Sequence, residues 1–183
     1  MQAIKTTQEQ DLIRRLKEGS QSAFKELLDA HQERLYWHIR NMVKSHDDTD
    51  DVLQNVCIKI FRSIKNFKGD SQLYTWMYRI ATNESITFLN KQAKLRNRTV
   101  QEYQEDIIGK LESDVYFDGD EIQLKLQKAI ATLPPKQQQI FQMKYFQDIT
   151  YDAMSEILTT STGGLKSSYH IAVKKVTEYL KTH

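Results

Sequence analysis

The sequence predicts an all-α protein in which two helical units are joined by an acidic linker. Three observations support this prediction. Apolar residues recur at helical spacing through nearly every long segment, the pattern dissolves once in the middle of the chain, and the charge changes sign at the same place. We therefore predict an N-terminal four-helix domain at 1–92, a flexible linker at 93–120 and a C-terminal helical domain at 121–183.

The charge distribution separates the two units. Residues 1–99 carry a net charge of +5, residues 100–121 carry −7 and residues 122–183 carry +4, so the overall +2 conceals two mildly basic blocks. Mild basicity is compatible with nucleic-acid binding but is also common on solvated surfaces. Fully extended, 28 linker residues would span at most about 90 Å, which would allow the units to sit well apart on one long partner.

The first domain contains four periodic segments. Thr7 and Gln10 form a capping-box pattern, and Gly19 predicts the end of a helix at about 8–18. A second helix is predicted at about 22–44, and a fourth continues to about 92. The third helix follows the turn at 45–48 and has an almost unbroken apolar stripe: Val52, Leu53, Val56, Cys57, Ile60, Phe61 and Ile64.

Residues 67–83 form the most informative segment. A basic and polar loop with one glycine leads directly into an aromatic-rich helix, a combination that suits the capture of unstacked bases. Leu73, Trp76, Met77, Ile80 and Ala81 are expected to form the buried side of an ordinary amphipathic helix. The candidate nucleic-acid residues are Lys68, Gly69, Asp70, Ser71, Tyr74, Trp76, Arg79, Asn83 and Thr87.

The third helix opens with a run of carboxylates at Asp47, Asp48, Asp50 and Asp51. Acidic side chains at a helix N-terminus compensate the helix dipole, but four exceed what a cap needs. We expect Asp51, with Gln54 and Asn55 one turn later, to face a basic protein partner.

The second domain ends in a pair of helices with helix-turn-helix proportions. Pro134 and Pro135 separate its first two helices. A short helix is then expected at about 151–158, a turn at 159–162 and a longer helix at about 163–181. In such a motif the second helix enters the major groove, although a helical hairpin with a solvated face has the same pattern. The candidate DNA-binding residues are Thr162, Gly163, Lys166, Ser167, His170 and Lys174.

Signals for catalysis or export are weak. The five histidines lack metal-ligand spacing, and no nucleophile or phosphate-loop motif occurs, so we expect no enzyme activity and no cofactor. A single cysteine, Cys57, fits a reducing compartment. The sequence contains no signal-peptide pattern and no apolar run long enough to cross a membrane, which predicts a cytoplasmic protein without direct membrane insertion.

The sequence resembles the extracytoplasmic-function (group IV) sigma factors of bacterial RNA polymerase over about 22–92 and 121–181. Residues 48–56 (DTDDVLQNV) resemble the family's polymerase-clamp-binding helix. Residues 67–83 resemble its promoter-melting segment, which reads the minus-ten element. The stretches 133–137 (LPPKQ), 145–151 and 163–167 (GGLKS) resemble its minus-thirty-five-reading domain.

The resemblance implies a role for each candidate residue. Asp48, Asp51, Gln54 and Asn55 would dock on the polymerase clamp, and the loop from Lys68 to Tyr74 would hold a flipped minus-ten base with Asn83 nearby. Lys166, Ser167 and His170 would face the minus-thirty-five element. The implied partners are core RNA polymerase, promoter DNA and an anti-sigma factor.

Departures from the family pattern leave other interpretations open. Positions that are often basic are Gln138, Ser168, Ile171 and Val173 here, which predicts fewer phosphate contacts in the second domain. One alternative is a free-standing helix-turn-helix regulator that binds a palindrome as a dimer. A small helical enzyme acting on nucleic acid is a more remote alternative, because no metal or nucleophile cluster is present.

Overall fold

The computed structural model describes residues 7–100, 102 and 121–182, and within them it is helical, with no β-strand. The all-α prediction is confirmed. A 3₁₀ turn at Ile64–Asn66 follows the third helix. In the part of the chain that the structure describes, the α-helices are α1 (Thr7–Lys17), α2 (Gln21–Val43), α3 (His46–Ser63), α4 (Leu73–Leu95), α5 (Glu121–Ala131), α6 (Pro135–Tyr145), α7 (Tyr151–Leu158) and α8 (Thr162–Thr182).

Hydroxyl side chains begin several of these helices. The side chain of Ser20 accepts a hydrogen bond from the Ala23 amide at 3.3 Å, and that of Thr150 accepts from the Ala153 amide at 3.2 Å. The Ser161 side chain accepts from the Gly164 amide at 3.3 Å, and α8 begins at Thr162. Thr162 therefore belongs to the helix and not to the preceding turn. Each contact satisfies one of the amides that a helix N-terminus leaves without an intrahelical partner.

The fourth helix is longer than the sequence pattern predicted. It continues to Leu95 because Ala93, Lys94 and Leu95 are strong helix formers and Ala93 is buried against Leu89 and Val100. Beyond α4, Thr99 and Glu102 form a reciprocal capping box that the pattern did not predict: the Glu102 carboxylate accepts from the Thr99 amide at 2.7 Å, and the Thr99 hydroxyl accepts from the Glu102 amide at 3.2 Å. The linker predicted at 93–120 therefore starts too early, and most of it lies outside the described residues.

The core of the N-terminal domain is formed where α2, α3 and α4 pack against one another. Four expected core positions are less buried than the periodicity indicated, and one of them, Cys57, is partly buried. Phe61 is 47 % exposed, and its ring packs edge-on against Phe24 with centroids 5.0 Å apart. Trp76 and Ile80 are partly buried against the core.

The two domains pack directly on each other. Helix α7 lies against α4, and α6 contacts α2, so one continuous apolar cluster contains Tyr78 and Ala81 of α4 together with Ile149 and Met154 of the second domain. A second cluster, within the C-terminal domain, is formed by α5, α6 and α8. The expectation that the domains could sit well apart does not describe this conformation.

Candidate functional site

The loop before α4 is held in place by contacts on both sides. Phe67 is buried, and its ring packs against Trp76 with centroids 5.2 Å apart. Gly69 has a φ of +81°, a left-handed backbone conformation that glycine adopts easily because it has no Cβ and that other residues adopt only with strain. Glu9 of α1 accepts a hydrogen bond from the Leu73 amide at 3.4 Å, so α1 helps to position the start of α4. Sequence reasoning missed this contact because the two residues are far apart in the chain.

The predicted minus-ten residues form a surface that runs from the loop along α4. Lys68, Asp70, Asn83 and Thr87 are exposed, and the five remaining members, Gly69, Ser71, Tyr74, Trp76 and Arg79, are partly buried. The Thr87 hydroxyl donates to the Asn83 backbone carbonyl at 2.8 Å, one helical turn earlier on the same exposed side. The set therefore combines exposed hydrogen-bonding groups with two partly buried aromatic rings, since Trp76 packs against Phe67 and Tyr74 packs against Tyr78.

Arg79 is the cation at the centre of this surface. Its Nε is buried and has no hydrogen-bond acceptor among the described residues. A buried donor without a partner is costly, and a phosphate oxygen would satisfy it.

Helix α3 presents a second surface. Asp51, Gln54 and Asn55 are exposed as predicted, and the Asn55 side chain donates to the Asp51 carbonyl at 3.0 Å. Asp48 is half-buried, and its amide donates to the Ser45 hydroxyl at 3.4 Å, so this residue also belongs to the helix cap.

The α3 surface continues with two apolar side chains that sequence reasoning missed. Ile58 is 44 % exposed and Phe61 is 47 % exposed, and both follow Asp51 and Gln54 at helical spacing on the same side. Periodicity placed Phe61 in the core. The sequence signal for the exposure of Phe61 is Ile58, which lies on the same side of the helix as Asp51 and Gln54. One exposed apolar residue is ordinary, whereas two on the same side suggest an interaction surface.

Helix α8 carries the third surface. Gly163, Lys166, Ser167, His170 and Lys174 are exposed along one side, and Thr162 is partly buried. Leu165, Ala172 and Val176 bury the opposite side. The Lys166 ammonium lies 5.7 Å from the centre of the Tyr151 ring, which holds that cation near the helix N-terminus. Five of the six predicted residues are therefore exposed on one side of α8, Thr162 lies in its first turn, and their contact with DNA stays a prediction.

The three surfaces lie on different helices. The seam, by which we mean the contact between the two domains, passes close to the surface at 68–87. A groove of about 650 Å³ at the seam is lined by Arg34, Trp37 and Tyr74 from the first domain and by Phe146 and Gln147 from the second. Tyr74 therefore lies beside the second domain in this conformation.

The described part of the chain offers neither a metal cluster nor a membrane span. Residues 7–100, 102 and 121–182 contain no group of three or more histidine, cysteine, aspartate or glutamate side chains placed to hold a metal ion. None of the helices described is long and apolar enough to span a bilayer.

Comparison with known families matches both domains. Residues 27–95 match sigma-70 region 2, and residues 123–176 match sigma-70 region 4. The RNA polymerase sigma-H factor of Pseudomonas aeruginosa is 28 % identical over 179 residues, covering 88 % of this chain and 89 % of that protein. The extracytoplasmic-function sigma factor SigW of Bacillus subtilis is 25 % identical and covers 86 % of this chain and 89 % of its own length.

Two solved structures share the fold. CnrH, in complex with the cytosolic domain of CnrY, superimposes with a TM-score of 0.71 at 16 % identity, covering 94 % of this chain and 97 % of CnrH. RpoE of Bartonella quintana, in complex with the anti-sigma factor NepR, gives 0.67 at 19 % identity, covering 87 % of this chain and 97 % of RpoE. With region 2 and region 4 matched in the same order, the chain belongs to the extracytoplasmic-function sigma factors of bacterial RNA polymerase.

Proposed function

We propose that this sigma factor melts promoters by holding an extruded minus-ten base against the loop and helix at 68–87. The observation that carries the proposal is the anchored aromatic loop: Trp76 is held by Phe67, and Tyr74 stands at the start of α4 beside an exposed polar row. Base stacking on aromatic rings needs an extruded nucleotide, because rings cannot reach base faces inside a duplex. Asn83 supplies an amide for a base edge, and Arg79 supplies a cation for the backbone.

Docking on core polymerase is assigned to the exposed row of α3. Asp48, Asp51, Gln54 and Asn55 supply the polar part of the interface, and Ile58 and Phe61 extend it with apolar contact. Charge complementarity with a basic partner would speed association and fix the register, whereas the two apolar side chains would slow dissociation.

The minus-thirty-five element is assigned to α8. Gly163 and Ser167 bring the helix N-terminus close to the DNA backbone, and Lys166, His170 and Lys174 lie along the side that faces the groove. We place the domain boundary between Leu95, the end of α4, and Glu121, so that the domain predicted at 1–92 extends to Leu95 and binds polymerase and the minus-ten element, and 121–183 binds the minus-thirty-five element.

The proposed partners follow from these roles. They are core RNA polymerase and promoter DNA, and the anti-sigma complexes of CnrH and RpoE support an anti-sigma factor as a third. Because polymerase and promoters occupy the bacterial cytoplasm, we place the chain there. The chain supplies recognition and melting, and the catalysis belongs to the polymerase.

Run-off transcription with purified core polymerase on a promoter library tests this proposal. We expect selected promoters to be transcribed only when the chain is present. Asn83→Ala should reduce opening, whereas Gln32→Ala, which removes an exposed amide from α2, should not. Binding of a palindromic operator by a dimer of the chain alone would instead support the free-standing regulator.

A further inference from the structure

The seam between the domains is crossed by two polar contacts from α2. Neutral His38 donates from Nδ1 to the Gln147 side-chain oxygen at 2.9 Å and accepts at Nε2 from the Thr82 hydroxyl at 2.8 Å. Lys44, the residue that caps the C-terminal end of α2, donates from Nζ to the Gln127 side-chain oxygen at 2.9 Å. Gln147 and Gln127 belong to the second domain, so both contacts are made only when the domains are packed together.

The described groups around these contacts give neither α2 side chain a carboxylate partner. His38 faces Thr82 and Tyr78 of α4, with the Tyr78 ring centre 4.7 Å away, and Gln147 of the second domain. The neighbouring Asp148 is exposed and ion-paired with Lys144 at 2.6 Å. Lys44 faces the Gln127 amide from α5 and Arg40 on its own helix.

This packed arrangement cannot engage a whole promoter. The names of the two elements place them about 25 nucleotides apart, which corresponds to roughly 85 Å along B-DNA. A compact chain of this length has a radius of gyration of only about 16 Å. Helices α4 and α7 are in direct contact, and Tyr74 lies in the seam groove beside Phe146 and Gln147.

We propose that the packed conformation is an autoinhibited state, held shut by the His38–Gln147 and Lys44–Gln127 contacts, and that its opening takes up protons at the two α2 side chains. The inhibitory part rests on the function proposed above, whereas the closed and open conformations are properties of the isolated chain. The apolar seam around Tyr78 and Met154 supplies closure, and the two polar contacts make it sensitive to charge.

The direction of the pH dependence follows from burial. Desolvation lowers the pKa of His38 from 6.5 to about 4 and the pKa of Lys44 from 10.5 to about 7, with Arg40 adding to the latter shift. Opening restores both side chains to water. Since the open state then binds more protons, closure is strongest at high pH and weakens as pH falls from 10.5 to 7 for Lys44 and from 6.5 to 4 for His38. Between pH 8 and 5.5, each group should raise the open-to-closed ratio about tenfold.

Small-angle X-ray scattering of the full chain between pH 8 and 5.5 tests the conformational part. We expect a radius of gyration near 16 Å at pH 8 that rises on acidification, with helical circular dichroism unchanged. Gln127→Arg removes the acceptor of the Lys44 contact and buries a guanidinium that stays charged at pH 8, so it should expand the chain at that pH. Gln123→Arg, one turn earlier on an exposed position of α5, is the matched control and should leave the radius unchanged.

Removing each titrating group separates its contribution. Lys44→Met should abolish the part of the pH response between pH 8 and 7, and His38→Gln should abolish the part below pH 6.5. A wild-type chain that is extended at pH 8, or a radius that does not change with pH or with Gln127→Arg, would overturn the closed state.

Transcription distinguishes this proposal from the proposed function. Gln127→Arg should increase run-off transcription by core polymerase over wild type and over Gln123→Arg. Expansion without increased transcription, when the wild type is active, would refute autoinhibition and leave the proposed function standing. Absence of polymerase-dependent transcription from every opened variant would instead refute the proposed function, while the scattering result would stand.

Discussion

The two DNA-binding surfaces that we propose, the loop and helix at 68–87 and helix α8, are built in different ways. On α8, the candidate residues share one side of a single helix, and the opposite side is buried by Leu165, Ala172 and Val176. The loop before α4 depends instead on distant parts of the chain, since Phe67 holds Trp76 and Glu9 caps α4. The surface of α8 suits an intact duplex, whereas the loop and helix at 68–87 suit a base that has left it.

This difference in construction implies different requirements: α8 needs an intact duplex, whereas the loop and helix at 68–87 need a duplex that has been opened. A helix side that presents two lysines and one histidine, as the predicted set does, binds a groove weakly, because each phosphate contact contributes a modest, salt-dependent increment. A stacked base contributes about 1–3 kcal/mol, but only after the duplex has been opened. Stable recognition would therefore depend on a polymerase that keeps the duplex open, and we propose that the exposed row of α3 provides the attachment to it.

The largest expected effect is on that attachment. Asp51→Lys should weaken assembly with core polymerase at least a hundredfold, because a like charge placed against a basic partner costs several kcal/mol. Fluorescence anisotropy of the labelled chain against core polymerase measures the change. Asp29→Lys, on α2, makes the same charge change at an exposed position away from α3 and should have little effect. Equal loss in both variants would show that net charge, rather than this surface, determines docking.

The aromatic loop is expected to show the next largest effect. Tyr74→Ala should reduce open-complex formation by about 5-fold to 150-fold, the equivalent of one lost stacking contact, and should leave polymerase docking unchanged. Permanganate reactivity of minus-ten thymines measures opening directly. Tyr74→Phe keeps the ring and serves as the control. Normal opening by Tyr74→Ala would remove this residue from the base-holding set.

The apolar end of the α3 surface sharpens the comparison between surface and core on one helix. Ile58→Ala should weaken polymerase binding by about 1 kcal/mol, or about fivefold, with little change in the free energy of unfolding, because the side chain is half exposed. Ile60→Ala, two residues later and fully buried, should lower the free energy of unfolding by about 2–5 kcal/mol. Urea unfolding and the binding assay together separate the two outcomes. Unchanged binding by Ile58→Ala would exclude Ile58 from the polymerase-docking surface.

The smallest expected effect is on α8. Lys166→Ala should reduce the dependence of holoenzyme–promoter affinity on salt, lowering the slope of log affinity against log salt by about 0.9. Lys175→Ala, an exposed lysine just beyond the predicted set, should change the slope less. Identical slopes for the two variants would mean that Lys166 is not the phosphate contact.

Local periodicity predicts much of this molecule, and tertiary contact accounts for what it misses. The helices, the buried side of α8 and the exposed carboxylates of α3 all follow from spacing within one element. Spacing within one helix does not predict the contact of Glu9 with α4 or the packing of α4 on α7, because the partners are distant in the chain. It also misplaces Phe61, because exposure depends on which elements pack against that side of α3. The fading apolar pattern does not mark the end of α4, because helix propensity and the burial of Ala93 carry the helix to Leu95.

The most direct test of the central claim is whether base extrusion requires both polymerase and the aromatic loop. The chain should be titrated with and without core polymerase against a duplex promoter carrying 2-aminopurine in the minus-ten element, with fluorescence reporting base extrusion. We predict that fluorescence rises only when both proteins are present, and that the rise is reduced in Tyr74→Ala and abolished in Asp51→Lys. A full rise with the chain alone on intact duplex would contradict the account.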